Sequence, residues 1–126
     1  MKNIYQISQL DSIPSFCPPH HAKTRDKKLV TKDSGAHSLE IWYGEIEPGG
    51  TAEMHVHTEM EQCFYILNGE AVFTLGEKEY TLEKGHLVFV PKGLPHKVAP
   101  TGQSSLKLLI IMAPPPCSVE AWKSID

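Results

Sequence analysis

The sequence predicts an all-β domain, and three observations carry that prediction. Short apolar stretches recur from residue 38 onward, turn signals separate them, and the stretches are rich in β-branched, aliphatic and aromatic residues. The turn signals are Pro48-Gly49-Gly50, Asn68-Gly69, Leu75-Gly76-Glu77, Lys84-Gly85, Pro91-Lys92-Gly93 and Pro100-Thr101-Gly102. Punctuation of this kind belongs to a sandwich or a barrel.

Taken in order, "PSFCPPHHAKTRDKK" reads as an extended arm, with prolines followed by Lys23, Arg25, Lys27 and Lys28. It lacks interleaved aromatics, so a solvated face is its expected role. Asn68-Gly69 stands between "CFYIL" and "EAVFTL", and a two-residue type I′ turn there would pair those runs as an antiparallel hairpin. "HLVFV" and "LKLLIIM" are predicted buried strands, ended by Pro91 and by Ala113-Pro114-Pro115-Pro116. "SVEAWKSI" is the one helical candidate, with Ser118 as N-cap and Val119, Trp122 and Ile125 on a shared face. The resulting division is an arm with leading strands over 1–37, a core over 38–113 and a tail with a short helix over 114–126.

A chain of 126 residues fits one domain that buries a core without disulfides. Hydrophobic residues at 40% and charged residues at 21% describe an ordinary globular protein. The net charge of −3 supplies no broad attraction to phosphates, which argues against nucleic acid and membranes as partners and for a small molecule. Cys17, Cys63 and Cys117 are odd in number and widely spaced, as expected of reduced thiols. The start lacks the apolar core of a signal peptide and no apolar run approaches the ~20 residues that span a bilayer, so a cytoplasmic location is expected.

Chemistry concentrates in "MHVHTEMEQCFYILNG". On a strand, His55 and His57 project to one side with roots about 6 to 7 Å apart, a spacing at which two imidazoles can share an ion. An isolated His-x-His is more often solvated. The balance shifts with "GHLVFVPKGLPHKVAP", where a glycine turn opens a strand, Pro91 and Gly93 form a second turn, and His96 begins another strand.

Together the two stretches resemble the two motifs of the cupin family. That resemblance implies a jelly-roll barrel, also called a double-stranded β-helix, with a metal inside. Gly49, His55, His57 and Gly69 occupy first-motif places; Gly85, Pro91, Gly93 and His96 occupy second-motif places, and Pro100 replaces its closing asparagine. The acidic place of the first motif can be counted to Glu61 or Gln62 from His57, but only to Gln62 from Gly69. Alternation does not choose between them, because Gln62, Phe64 and Ile66 form one face while Cys63, Tyr65 and Leu67 form an equally apolar other. The implied ligand set is His55, His57, Gln62 and His96, with Glu61 as the alternative to Gln62. Such donors suit manganese, iron, nickel, copper or zinc rather than calcium or magnesium.

An amide in place of a carboxylate leaves the ion its full charge but cannot accept a proton. This departs from the flavonol dioxygenases of the family and resembles the cupins that assist ring opening of unsaturated uronates. On an unbroken strand Glu53 would share the side of His55, so Glu53 and Tyr65 are the candidates for proton transfer. His20 and His21 lie on an arm that could cover a barrel mouth, although a solvated place is the expectation for both. The expected function is a divalent-metal enzyme of isomerase, lyase or oxygenase type acting on a small oxygen-rich acid or keto compound. The alternative is a non-catalytic binding or sensor cupin. A homodimer is implied by the resemblance.

Overall fold

The computed structural model describes residues 5–116 together with the backbone of residues 123 and 124. The strands are β1 (His21–Val30), β2 (Glu40–Val56), β3 (Glu61–Asn68), β4 (Glu70–Leu75), β5 (Lys78–Glu83), β6 (Leu87–Val90), β7 (His96–Pro100), β8 (Leu106–Ala113) and β9 (Lys123–Ser124). They form one curled sheet in the order β5-β4-β7-β2-β8-β3-β6, with β1 and β9 also paired to β2.

Strand β2 shapes the barrel because it belongs to both walls. Its first half, Glu40 to Ile46, pairs with β8, and its second half pairs with β7 at Ala52↔Val98 and His55↔His96. The Pro48-Gly49-Gly50 turn signal is the bend between the halves. Gly49 has φ +84°, and a Cβ on Gly50 would lie 2.6 Å from Ala22 O, so the chain bends where only glycine fits. The other corner is Gly69, which has φ +89° and whose Cβ would stand 2.8 Å from Ser105 O.

The hairpin predicted at Asn68-Gly69 does not form. β3 pairs with β6 and β8, whereas β4 pairs with β5 and β7. A type I′ turn requires positive φ at both central residues, and Asn68 is not among the positive-φ residues. The glycine instead carries the chain from one wall to the other. It also shifts the inward set from Gln62, Phe64 and Ile66 to Ala71 and Phe73.

Inside the barrel lie Trp42, Phe64, Ile66, Phe73, Val90, Val98, Leu108 and Met112, and burying each stabilises the fold by about 1.5–3 kcal/mol. Phe64 and Phe73 meet edge to face at 5.8 Å between ring centroids. β8 alternates buried and half-buried along its whole length, and β6 alternates exposed and buried. Both are therefore covered on one face only, rather than buried on both as their composition suggested; residues facing outward are apolar too.

Much of the segment that reads as an extended arm is β1, paired with β2 from His21↔Ala52 to Val30↔Ile41. Phe16 adds a bridge to Asp26 outside it. Its basic residues are engaged: Arg25 reaches Glu45 and Glu47, and Lys28 lies over the rings of Phe16 and Trp42. Most of the predicted C-terminal helix lies outside the described residues. At Lys123 and Ser124 the helix is replaced by β9, which pairs with Val56 and His55. Those backbone groups of β2 lie beyond the end of β1, and β9 satisfies them.

Candidate metal centre

A register shift between Ala52 and His55 creates the centre. Before it, β2 turns Trp42, Gly44 and Ile46 inward; after it, His55 and His57 face in, with Met54 and Val56 only partly buried. A bulge of this kind re-aims side chains beside a site. Here it converts two core positions into imidazole positions.

His96 enters from β7 as the direct partner of His55. Just past the end of β2, His57 O accepts a 2.8 Å hydrogen bond from Gly93 N, in the turn with φ +78° that precedes β7. The two sequence motifs are thus tied by their backbones. Gln62 comes from β3 between Val90 and Met112.

All four side chains are buried: His55 and His57 at 3% exposure, Gln62 at 2% and His96 at 1%. Ring centroids lie 4.9 Å apart for His55 and His57, 4.3 Å for His55 and His96, and 5.3 Å for His57 and His96. One donor atom from each of these histidines falls within 4.8 Å of the other two, so the group could hold a metal ion. Of the two alternatives for the fourth donor, Glu61 is exposed and Gln62 is buried, as the histidines are.

The protonation state matches a ligand set. His55 Nδ1 stands 2.6 Å from Glu53 O, and His96 Nδ1 stands 3.0 Å from Leu94 O. A carbonyl only accepts, so each Nδ1 donates, and in the neutral ring Nε2 carries the lone pair. Burial, reinforced by the neighbouring imidazoles, pushes His55 down to about 3 and His96 down to about 4, which keeps both neutral at physiological pH. Among the described residues, Gln62 Oε1 and His96 Nε2 are buried without a hydrogen-bond partner. Buried polar atoms are rarely left so, and a cation is the partner that two lone pairs and adjacent imidazoles would share.

The other candidates lie elsewhere. The register shift breaks the continuity that would have set Glu53 beside His55, and Glu53 is exposed at the rim, within electrostatic reach of His21. Tyr65 is 40% exposed on the outer face of β3, because alternation that turns Gln62 and Phe64 in turns Tyr65 out. Its expected role in proton transfer has no geometric support. One residue expected to be solvated belongs here instead: the ring of His21 lies 5.8 Å from that of His55. No local motif marks it. Only the pairing of β1 with β2 brings it to the mouth, and that pairing is not written in "CPPHH".

Elsewhere, an open cavity of about 900 Å³ is lined by Phe16, Pro19, Lys28, Glu40, Trp42 and Pro114–Pro116, among others, and by none of the clustered imidazoles. Glu40 is buried there and accepts a 2.7 Å hydrogen bond from Trp42 Nε1. No helix among the described residues is long and apolar enough to cross a membrane.

Comparison with known proteins agrees with this architecture. The chain is 25% identical to the tetracenomycin polyketide synthase protein TcmJ of Streptomyces glaucescens over 82% of its own length and 70% of that protein's. It is 29% identical to an oxalate-binding protein of Thermotoga maritima over 54% of its own length and spans 56% of that relative. Against another relative, an uncharacterised protein of Methanocaldococcus jannaschii, it spans about half the length, 54%. The structure of the polyketide cyclase RemF from Streptomyces resistomycificus superposes with a TM-score of 0.83 at 20% identity, covering 96% of this chain and 85% of that one, which establishes a shared fold. Residues 42–112 match the model of the cupin domain, so the stretch that holds both histidine motifs, the glutamine between them and most of the barrel identifies the chain as a member of the cupin family.

Proposed function

We propose that the chain is a divalent-metal cupin that binds a small oxygen-rich acid or keto compound and acts on it as an isomerase, lyase or oxygenase. The observation that carries this reading is the group of three buried imidazoles whose donor atoms lie within 4.8 Å of one another; Gln62, with its amide oxygen buried and unpartnered among the described residues, is proposed as the fourth donor. A dication held there would supply Lewis-acid polarisation of a carbonyl or carboxylate. Gln62 orients without cancelling charge, so the donor set leaves the ion more electrophilic and less tightly held than a carboxylate would. The histidines cannot serve as bases while they act as donors, which places proton handling at the rim.

The oxalate-binding protein among the relatives favours the second reading, a cupin that holds such a ligand without turning it over. A homodimer is also proposed. Its support is an apolar outer face, on which Leu87 and Phe89 of β6 (63% and 53% exposed) adjoin Tyr65 and Cys63 of β3 through the pairs Tyr65↔Leu87 and Cys63↔Phe89. Monomers rarely expose so continuous a patch.

Elemental mass spectrometry of the untagged protein is the first test, with His57→Ala and Gln62→Glu alongside. Near-stoichiometric transition metal is expected, lost in His57→Ala and held at least about tenfold more tightly against a chelator in Gln62→Glu, where the added charge is worth that much. Absence of metal after reconstitution would overturn the proposal. With metal present, turnover in a screen of uronates and keto acids separates the enzyme from the binding protein.

A further inference from the structure

Glu40 opens β2 on the same inward face as Trp42, and it is 7% exposed. Trp42 Nε1 donates to its Oε1 at 2.7 Å. Among the described residues that is the one hydrogen bond of its side chain, and the ion pairs are those of Arg25 with Glu45 and Glu47. A carboxylate can accept at both oxygens, so a single indole N–H leaves most of its capacity unused. Buried carboxylates are ordinarily paired, because desolvation without a cationic partner is costly.

That partner is not the metal centre. Met112 pairs with Glu40 on one side and with Gln62 on the other, which sets the carboxylate two strands from the amide, about 10 Å between backbones. Glu40 lines instead the cavity of about 900 Å³, which none of the clustered imidazoles reaches. A volume of this order is typical of small-molecule sites. Its lining is graded: Glu40 is buried, Phe16 is half-buried, and Lys28 and Lys32 are exposed. Lys28 Nζ stands 5.1 Å from the ring centroid of Phe16 and 5.3 Å from that of Trp42, and those two rings meet edge to face at 5.1 Å. The cavity therefore combines a buried acceptor, a wall of rings and prolines, and ammonium groups on its exposed side.

We propose that this cavity binds a zwitterionic amino acid with an apolar or aromatic side chain, its ammonium on Glu40 and its carboxylate toward Lys28. An ammonium answers both needs of Glu40, supplying N–H donors and the missing positive charge in one charge-assisted contact. The exposed lysines suit an anion at the opposite end of the same molecule, and the rings and prolines suit its side chain. A plain carboxylic acid has nothing to offer Glu40, and a plain amine gains nothing from Lys28 and Lys32, so the lining selects the zwitterion over either. The site is independent of the metal and of the reading of the centre above.

Calorimetry tests it with L-phenylalanine, with hydrocinnamate, which lacks the amine, and with phenethylamine, which lacks the carboxylate. Phenylalanine should bind the wild type most tightly, and equally well before and after treatment with a chelator. Glu40→Gln keeps an acceptor for Trp42 Nε1 but removes the charge, so it should weaken phenylalanine about tenfold or more and leave hydrocinnamate no weaker. Lys28→Met should weaken phenylalanine about 2- to 5-fold and leave phenethylamine no weaker. Both variants should keep the wild-type metal content. Binding that requires the metal would place the amino acid on the ion and overturn the proposal. No binding of phenylalanine at millimolar concentration would overturn it too, as would equal affinity for all three compounds or indifference to Glu40→Gln. The ranking of the three compounds is read on the wild type and depends on no variant.

Discussion

Replacing Asp26 by asparagine probes a carboxyl that the barrel buries away from the metal centre. Asp26 faces inward from β1 opposite Gly44, whose missing side chain leaves it room: a Cβ there would lie 3.0 Å from Asp26 Oδ1. Burial pushes its pKa from 3.8 up to about 7. Between those values the folded chain keeps a proton that the unfolded chain has released, so stability falls as pH rises through the window and the penalty is complete above it. Asp26→Asn should stabilise the protein at pH 8 by on the order of 2–4 kcal/mol and have little effect near pH 4. Urea unfolding at the two pH values measures it, and a variant weakened at both would show that the carboxyl has a stabilising role. His55 and His96 act in the opposite sense. Their pKa values are depressed, so the unfolded chain takes up protons first and the metal-free protein should lose stability as pH falls from about 6.5 toward 4. Melting temperatures of chelator-treated Asp26→Asn protein isolate that slope, and a flat profile would contradict it.

At the scale of elements, Gly69 is the position where sequence reading and structure part. Asn-Gly predicts a hairpin, yet Gly69 forms a corner between walls, where a Cβ would meet the carbonyl of Ser105 and the backbone of Leu106. Gly69→Ala should cost on the order of 2–3 kcal/mol in chemical denaturation, because positive φ and close backbone contact add. Gly85 also has positive φ but nothing within 4 Å of its Cβ position, so Gly85→Ala should cost only about 1 kcal/mol. Equal costs would mean that the corner contact is unimportant. The grouping of His55, His57 and His96 was legible because they sit at motif spacing, and counting back from Gly69 pointed to Gln62, which the fold buries. Glu53, Tyr65 and His21 were not, since a bulge, the choice of inward face and a long-range strand pairing decided them. None of these is a local property of the chain.

For the whole molecule, the exposed face of β3 and β6 carries the question of assembly. Phe89→Glu puts a charge at the middle of that face without touching the barrel interior, where Val88 and Val90 alternate with it. Light scattering should find the wild type as a dimer and this variant as a folded monomer. A wild-type monomer, or a variant that stays dimeric, would move the interface elsewhere or remove it. Assembly and metal binding are separable, because the apolar face lies on the outside of β3 and β6, whereas the imidazoles are buried and come from β7 and the end of β2.

The pairing of Ser124 with His55 has a practical consequence for anyone who extends the chain. Asp126 follows two residues later, so whatever is joined after it begins three residues on, at most about 10 Å of extended chain from the strand position paired with a candidate metal ligand. An oligohistidine tail placed there would bring competing imidazoles to the mouth of the barrel. Metal counts on such a protein would report the tail and the barrel together.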